Sequence, residues 1–190
     1  MIKSKSDYEY YLNRDFLALF GKDCKKNKRY LKLTEGPYQY QLALRKCEYF
    51  KNCKKGIFSK IHYVFLKMKL RKLRFKYSLE IPENVCEDGL SIAHTGGIVI
   101  NSSARIGKNC RIHVGVNIGC GARGEGVPTI GNNCYIGPGA KLFGNIVIGD
   151  NTVIGANAVV NKSFPEGNMT IGGIPAKKIS DKTSEGIIDI

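Results

Sequence analysis

Hydrophobic residues follow two different spacings along this chain, and the change falls at Glu80. Upstream they recur at helical spacing. Tyr8, Tyr11, Leu12, Phe16 and Leu19 form one apolar stripe, opened by Ser6-Asp7-Tyr8-Glu9, which reads as a capping box, and closed by Gly21. Lys22 to Lys32 is basic and reads as loop or frayed helix. Pro37 is placed to start a second helix, with Tyr38, Leu42, Cys47 and Phe50 facing inward. Gly56 breaks the chain again, and Ile57 to Phe75 reads as a third helix.

Downstream the period is six. Ile100, Ile106, Ile112, Ile118, Ile130, Ile136, Leu142, Ile148, Ile154 and Val160 share one phase, and of its eleven positions only Gly124 is not aliphatic. A second row, four residues later, holds small or branched side chains such as Ala104, Cys110, Val116, Cys134 and Ala158; Ile92 and Ile98 extend it backward. A helix repeats at 3.6 residues and a flat strand at 2, so neither alone gives six. A short strand followed by a glycine-assisted turn does. Three such units make one triangular coil, and stacked coils bury a column of aliphatics. Gly119 to Pro128, with four glycines and a proline, reads as a loop pushed out of the coil. Phe164-Pro165 ends the prism, Ile171 to Ile179 returns as a glycine-rich segment, and the last ten residues read as frayed. The expected organisation is a helical region over 1–79, the coil over 80–179 and a tail over 180–190.

Charge separates the same two regions. Residues 1–79 carry 21 Lys and Arg against six Asp and Glu, whereas 80–190 carry nine against ten. The helical region therefore favours an acidic partner or surface. Between Tyr49 and Leu79 there are ten Lys or Arg and no acid, interleaved with apolar residues. Such a segment suits either subunit packing with a solvated basic face or an anionic membrane surface. Seven cysteines without metal-ligand spacing, Cys110 and Cys134 among them as inward spacers, point to no metal and to the cytoplasm. The N-terminal MIKSKSDYEYY lacks the apolar core of a signal peptide, and no apolar run is long enough to span a bilayer. Peripheral contact at the inner membrane face is the variant of this location that the basic helices allow.

The repeat resembles the hexapeptide-repeat acyltransferases over roughly 80–179. The resemblance implies an all-β left-handed parallel β-helix carrying an α-helical N-terminal domain, and supplies the hand. Leu90-Ser91-Ile92-Ala93-His94-Thr95-Gly96-Gly97-Ile98-Val99-Ile100 resembles the segment of serine acetyltransferases that holds the catalytic histidine, which maps onto His94. The chemistry needs that residue type: an alcohol must lose its proton as it attacks a thioester, and imidazole titrates near neutrality. The competing reading is a histidine in the inward phase that caps the core. The family orients the base with a carboxylate, and Glu80-Ile81-Pro82 matches that stretch with one residue missing, making Glu80 the expected partner; Glu83, Glu87 and Asp88 compete.

The same resemblance implies acetyl-CoA as donor. Its pantetheine arm is expected on backbone amides at small-residue turns, with Gly119, Gly139 and Ala156 as donors. Lys162, Lys177 and Lys178 are placed for its phosphates. His113 and Arg123 are candidate acceptor contacts. Family sites form between neighbouring prisms, which implies a homotrimer and allows a hexamer.

Three departures touch the acceptor, one of them a loop shorter than that of the serine enzymes. Where serine enzymes carry a second histidine before a proline, this chain has Val127-Pro128, and Ala93 precedes His94 in place of an aspartate. The pattern is then closer to sugar O-acetyltransferases of capsule and exopolysaccharide loci. The expected function is an acetyl-CoA-dependent O-acetyltransferase acting on a sugar hydroxyl in surface polysaccharide biosynthesis, with L-serine O-acetylation in cysteine biosynthesis as the alternative. A prism that only binds or scaffolds is the competing class. A zinc site of the γ-carbonic anhydrase kind needs three histidines, and the prism has only His94 and His113.

Overall fold

The computed structural model describes residues 1–188. Four helices come first: α1 (Lys5–Phe20), α2 (Lys28–Thr34), α3 (Gly36–Cys53) and α4 (Ile57–Tyr77). The cap of α1 is Ser4, not the expected Ser6. Ser4 Oγ accepts from the Asp7 N–H at 3.0 Å, and the Asp7 carboxylate accepts from the Lys3 N–H at 2.9 Å. Both serines have an acid three residues on, and the helix takes the earlier frame, gaining about half a turn. Within the expected basic loop, Asn27 caps the short α2 by accepting from the Arg29 N–H at 2.8 Å. Pro37 opens α3, as its spacing indicated.

Beyond α4 the chain becomes a parallel β-helix of triangular section. The first face stacks β1 (Leu79–Glu80), β3 (Ile98–Ile100), β6 (Asn117–Gly119), β9 (Lys141–Phe143) and β12 (Val159–Val160). The second stacks β4 (Arg105–Ile106), β7 (Thr129–Ile130) and β10 (Val147–Ile148). The third stacks β2 (Ser91–Ile92), β5 (Arg111–Ile112), β8 (Tyr135–Ile136), β11 (Val153–Ile154) and β13 (Thr170–Gly172), and the antiparallel β14 (Lys177–Ser180) closes it.

The aliphatic row becomes a buried column: Ile112 pairs with Ile136, Ile136 with Ile154, and Ile154 with Ile171. Glycine follows the aliphatic because the coils approach closely there. A Cβ on Gly137 would lie 2.6 Å from the Ile154 carbonyl oxygen. At the corner between the second and third faces, Asn109, Asn133, Asn151 and Asn168 all adopt left-handed backbone, with φ of 50–56°. Their side chains form a ladder, each Nδ2 donating to the next Oδ1 at 2.8–3.0 Å.

The comb slips between Ile92 and Ile98. Ile92 pairs with Ile112, twenty positions on, whereas Ile100 pairs with Ile118, eighteen on. Two extra residues therefore sit in the turn between Ile92 and Ile98, where Gly96 and Gly97 take φ of 115° and 59°. Ile92 consequently belongs to the aliphatic column, not to the small-residue row.

The helices share the coil's core. Tyr40, Leu44 and Leu70 pack with Leu79, Ile81 and Ile98 in one continuous cluster. The attachment is polar as well. Fully buried Arg45 on α3 donates to Asp15 of α1 at 2.7 and 3.2 Å and to Glu48 at 2.9 Å. It also donates to the Cys86 and Glu87 carbonyls at 2.8 and 2.6 Å. Asp15 in turn accepts from the Leu90 N–H at 2.9 Å. Of the expected tail, Lys182 and Ser184 lie against the coil: Thr170 Oγ1 donates to the Lys182 carbonyl, and the Ser184 N–H to that of Asn151 at 3.2 Å. Asp189 and Ile190 lie outside the described residues.

Candidate active site

The widened turn between Ile92 and Ile98 carries His94 at the corner between the third and first faces. Its backbone is pinned on both sides: the Ala93 N–H donates to the Ile112 carbonyl at 3.0 Å, and the Gly96 N–H to that of Tyr77 at 3.0 Å. The extra residues turn the imidazole outward, and His94 is exposed. It does not cap the core, as its phase in the comb would have it.

One rung on, His113 occupies the same corner. The two imidazoles lie edge to face, 5.9 Å between centroids, and His113 rests on the ring of Tyr135 at 4.8 Å. His113 Nε2 is shielded from water and has no hydrogen-bond partner among the described residues. Burial, with help from the charges at Arg111 and His94, holds the His113 pKa below the ordinary histidine value, so its ring favours the neutral form. The corner thus presents one open imidazole beside a second that resists protonation. That pair is suited to taking a proton from a hydroxyl.

No carboxylate orients His94 among the described residues. The expected partner, Glu80, is paired with Arg74 at the end of α4. Its strand sets it opposite Val99, beyond the His94 turn. The competitors are engaged too. Glu83 is held by Lys51, Lys67 and Tyr63, Glu87 by the N-terminal amine and Tyr11, and Asp88 lies 3.7 Å from Arg14. The folded helices claim these carboxylates through contacts that sequence spacing does not display.

The cofactor candidates divide between corners. Gly139 and Ala156 share the His94 corner, where the turns stack through the Asn157 N–H donating to the Pro138 carbonyl at 2.8 Å. Gly139 does not offer a free amide, because its N–H already donates to the Val114 carbonyl at 2.8 Å. Ala156 is exposed. Gly119 lies at the next corner, where the loop to Pro128 leaves the coil, and the exposed Arg123 sits on that loop, whose Gly124 N–H donates to the Gly121 carbonyl at 2.9 Å. The loop does occupy one extra step of six, since Ile106 pairs with Ile130. Lys162 lies over the Phe164 ring, Lys178 is paired with Asp181, and Lys177 is exposed beside Ala176, whose N–H donates to the Val159 carbonyl. Sequence reasoning missed Tyr135. Its signal is positional: it precedes Ile136 as Arg111 precedes Ile112, one rung from His113.

The family model for "Bacterial transferase hexapeptide (six repeats)" matches residues 128–162. A serine acetyltransferase of Helicobacter pylori is 38% identical over 117 residues, covering 60% of this chain and 68% of that protein. The chain belongs to the serine acetyltransferase family of hexapeptide-repeat proteins. A serine acetyltransferase of Staphylococcus xylosus is 40% identical over 122 residues, 63% of this chain, and the chain spans 56% of its length. The crystal structure of Neisseria gonorrhoeae serine acetyltransferase in complex with serine superposes with a TM-score of 0.72 at 26% identity, covering 93% of this chain and 71% of that one. The coil is therefore the family's left-handed parallel β-helix. These relatives overturn the expected surface-polysaccharide acceptor. The inference rested on Val127, Ala93 and the shorter loop, and the matched serine acetyltransferases outweigh it.

Proposed function

We propose that this chain is an acetyl-CoA-dependent L-serine O-acetyltransferase with His94 as general base. The observation that carries the reading is the outward, doubly pinned His94 beside a neutral-favouring His113, in a chain whose relatives are serine acetyltransferases. His94 takes the proton of the serine hydroxyl as its oxygen attacks the thioester carbonyl. Collapse of the tetrahedral intermediate releases the thiolate, which recovers that proton from the imidazolium. His113 contacts the acceptor and keeps a second positive charge away from the forming imidazolium. Ala156 supplies a backbone amide to the pantetheine arm, and Lys177 a cation to its phosphates.

The working unit we propose is a homotrimer, because the Arg123 loop and the His94 corner lie on different edges of one prism. A neighbouring prism can bring its loop to this corner.

The test is thiol release from acetyl-CoA with L-serine as acceptor. Wild type turns over serine, and His94→Ala lowers kcat by about 10²–10⁴-fold. Serine turnover unaffected by His94→Ala removes the assigned base. No serine turnover by the wild type refutes the acceptor.

A further inference from the structure

Helix α4 has two apolar faces, and the fold uses one of them. Leu66, Leu70, Leu73 and Tyr77 pack against the shared core. On the opposite side Ile57, Ile61, Val64, Met68 and Phe75, at i, i+4, i+7, i+11 and i+18, form a second line flanked by Phe58 and Phe65. These seven side chains are 47–84% exposed. A solvated helix face is ordinarily polar, so a line of this length calls for a partner.

The flanks identify its chemistry. Lys60 and Arg71 border the apolar line on one side, Lys69 and Lys76 on the other, and Lys72 lies within it. No Asp or Glu occurs between Glu48 and Glu80, and the acids that pair with α4, Glu80 and Glu83, are taken up by Arg74, Lys51 and Lys67. Beside α4, on the flank that carries Lys69 and Lys76, runs a groove lined by Leu66, Leu73, Lys32 and Lys46 as well, with room for anionic groups.

We infer that the outer face of α4 docks on an anionic phospholipid bilayer. The helix lies in the interface plane. Its apolar line enters the acyl boundary, while the lysine stems carry their charges out to the headgroups. A second copy of the chain fits less well, because a two-fold contact along this line sets each cationic flank against its own like. Nucleic acid answers the charge but gives seven apolar side chains nowhere to go. Among the described residues no helix is long and apolar enough to cross a membrane, so α4 lies on the bilayer and does not span it.

The test is flotation of the full chain with phosphatidylcholine vesicles, with and without phosphatidylglycerol. Wild type floats with the anionic vesicles and not with the neutral ones. Phe65→Ser weakens partitioning by about tenfold or more, the worth of burying one phenylalanine. Neutralising Lys69 weakens it about fivefold, the contribution of one cation at such a surface. Both side chains are exposed, and melting curves matching wild type show the fold intact. Wild type remaining unbound at low salt overturns the inference, as does binding that Phe65→Ser leaves unchanged. So does a wild type that ignores vesicles while Phe65→Ser splits a larger assembly in sedimentation, which assigns the face to a second copy.

Discussion

On the coil, Ile112, Ile136, Ile154 and Ile171 make one contact three times over, and Asn109, Asn133, Asn151 and Asn168 repeat another. On the helices, Arg45 makes five hydrogen bonds with no counterpart elsewhere among the described residues, tying α1, α3 and the Cys86–Glu87 backbone together. The difference teaches where damage spreads. A repeated contact is one nearest-neighbour increment among several, and losing it leaves the rungs on either side intact. A contact made once has no substitute. Removing its cation strands Asp15 and Glu48, both buried, as uncompensated charges.

The sharpest way to break this comparison is Arg45→Ala. It should cost about 3–5 kcal/mol, the usual loss when one partner of a buried ion pair is removed. Denaturant unfolding measures the loss, and limited proteolysis should cut first in the helices, with the coil surviving. A loss below about 1 kcal/mol, within the range of a surface pair, would show that the helical region does not depend on this network. A smaller effect is expected on the coil from Asn133. Asn133→Ala places a Cβ-bearing residue without a local hydrogen bond at φ 54° and breaks two rungs of the ladder, costing about 2 kcal/mol. Asn133→Gly keeps the backbone relaxed and should cost about half of that. Equal losses for the two would mean that the ladder, and not the left-handed turn, sets the cost.

The coil was legible because repetition is itself a signal. Ten aliphatics in one phase fix the column without knowledge of the loops, and Pro37 and Gly21 mark helix boundaries through their own backbone restrictions. What stayed hidden was made once. The slip at Gly96-Gly97 moved Ile92 into the aliphatic column and turned His94 outward, and a comb that resumes in phase at Ile100 gives no sign of it. Glu80 matched the family's stretch, yet its partner depends on where α4 ends, and Arg74 is there. Charge alone could not foretell which arginine would be buried. The asparagine ladder was readable in principle, since Asn109, Asn133 and Asn151 each stand three residues after an isoleucine, but turn glycines drew the reading instead.

The smallest expected effect tests the seam between the two kinds of contact, where the once-made His94 turn rests on the repeating rung of His113 and Tyr135. His113 titrates below the ordinary histidine value in the folded chain, through burial first and then Arg111 and His94. As pH falls past about 6.5, the unfolded chain takes up this proton before the folded one does, so stability declines. The contribution is complete above that pH and is progressively lost below it. Wild type should therefore lose more of its melting temperature than His113→Gln between neutral and mildly acidic pH. His94→Gln should recover part of the loss, because one of the charges disfavouring a protonated His113 is then gone. Parallel pH profiles for wild type and His113→Gln would mean that His113 is not held neutral, and the base at His94 would then work without a neutral imidazole at its side.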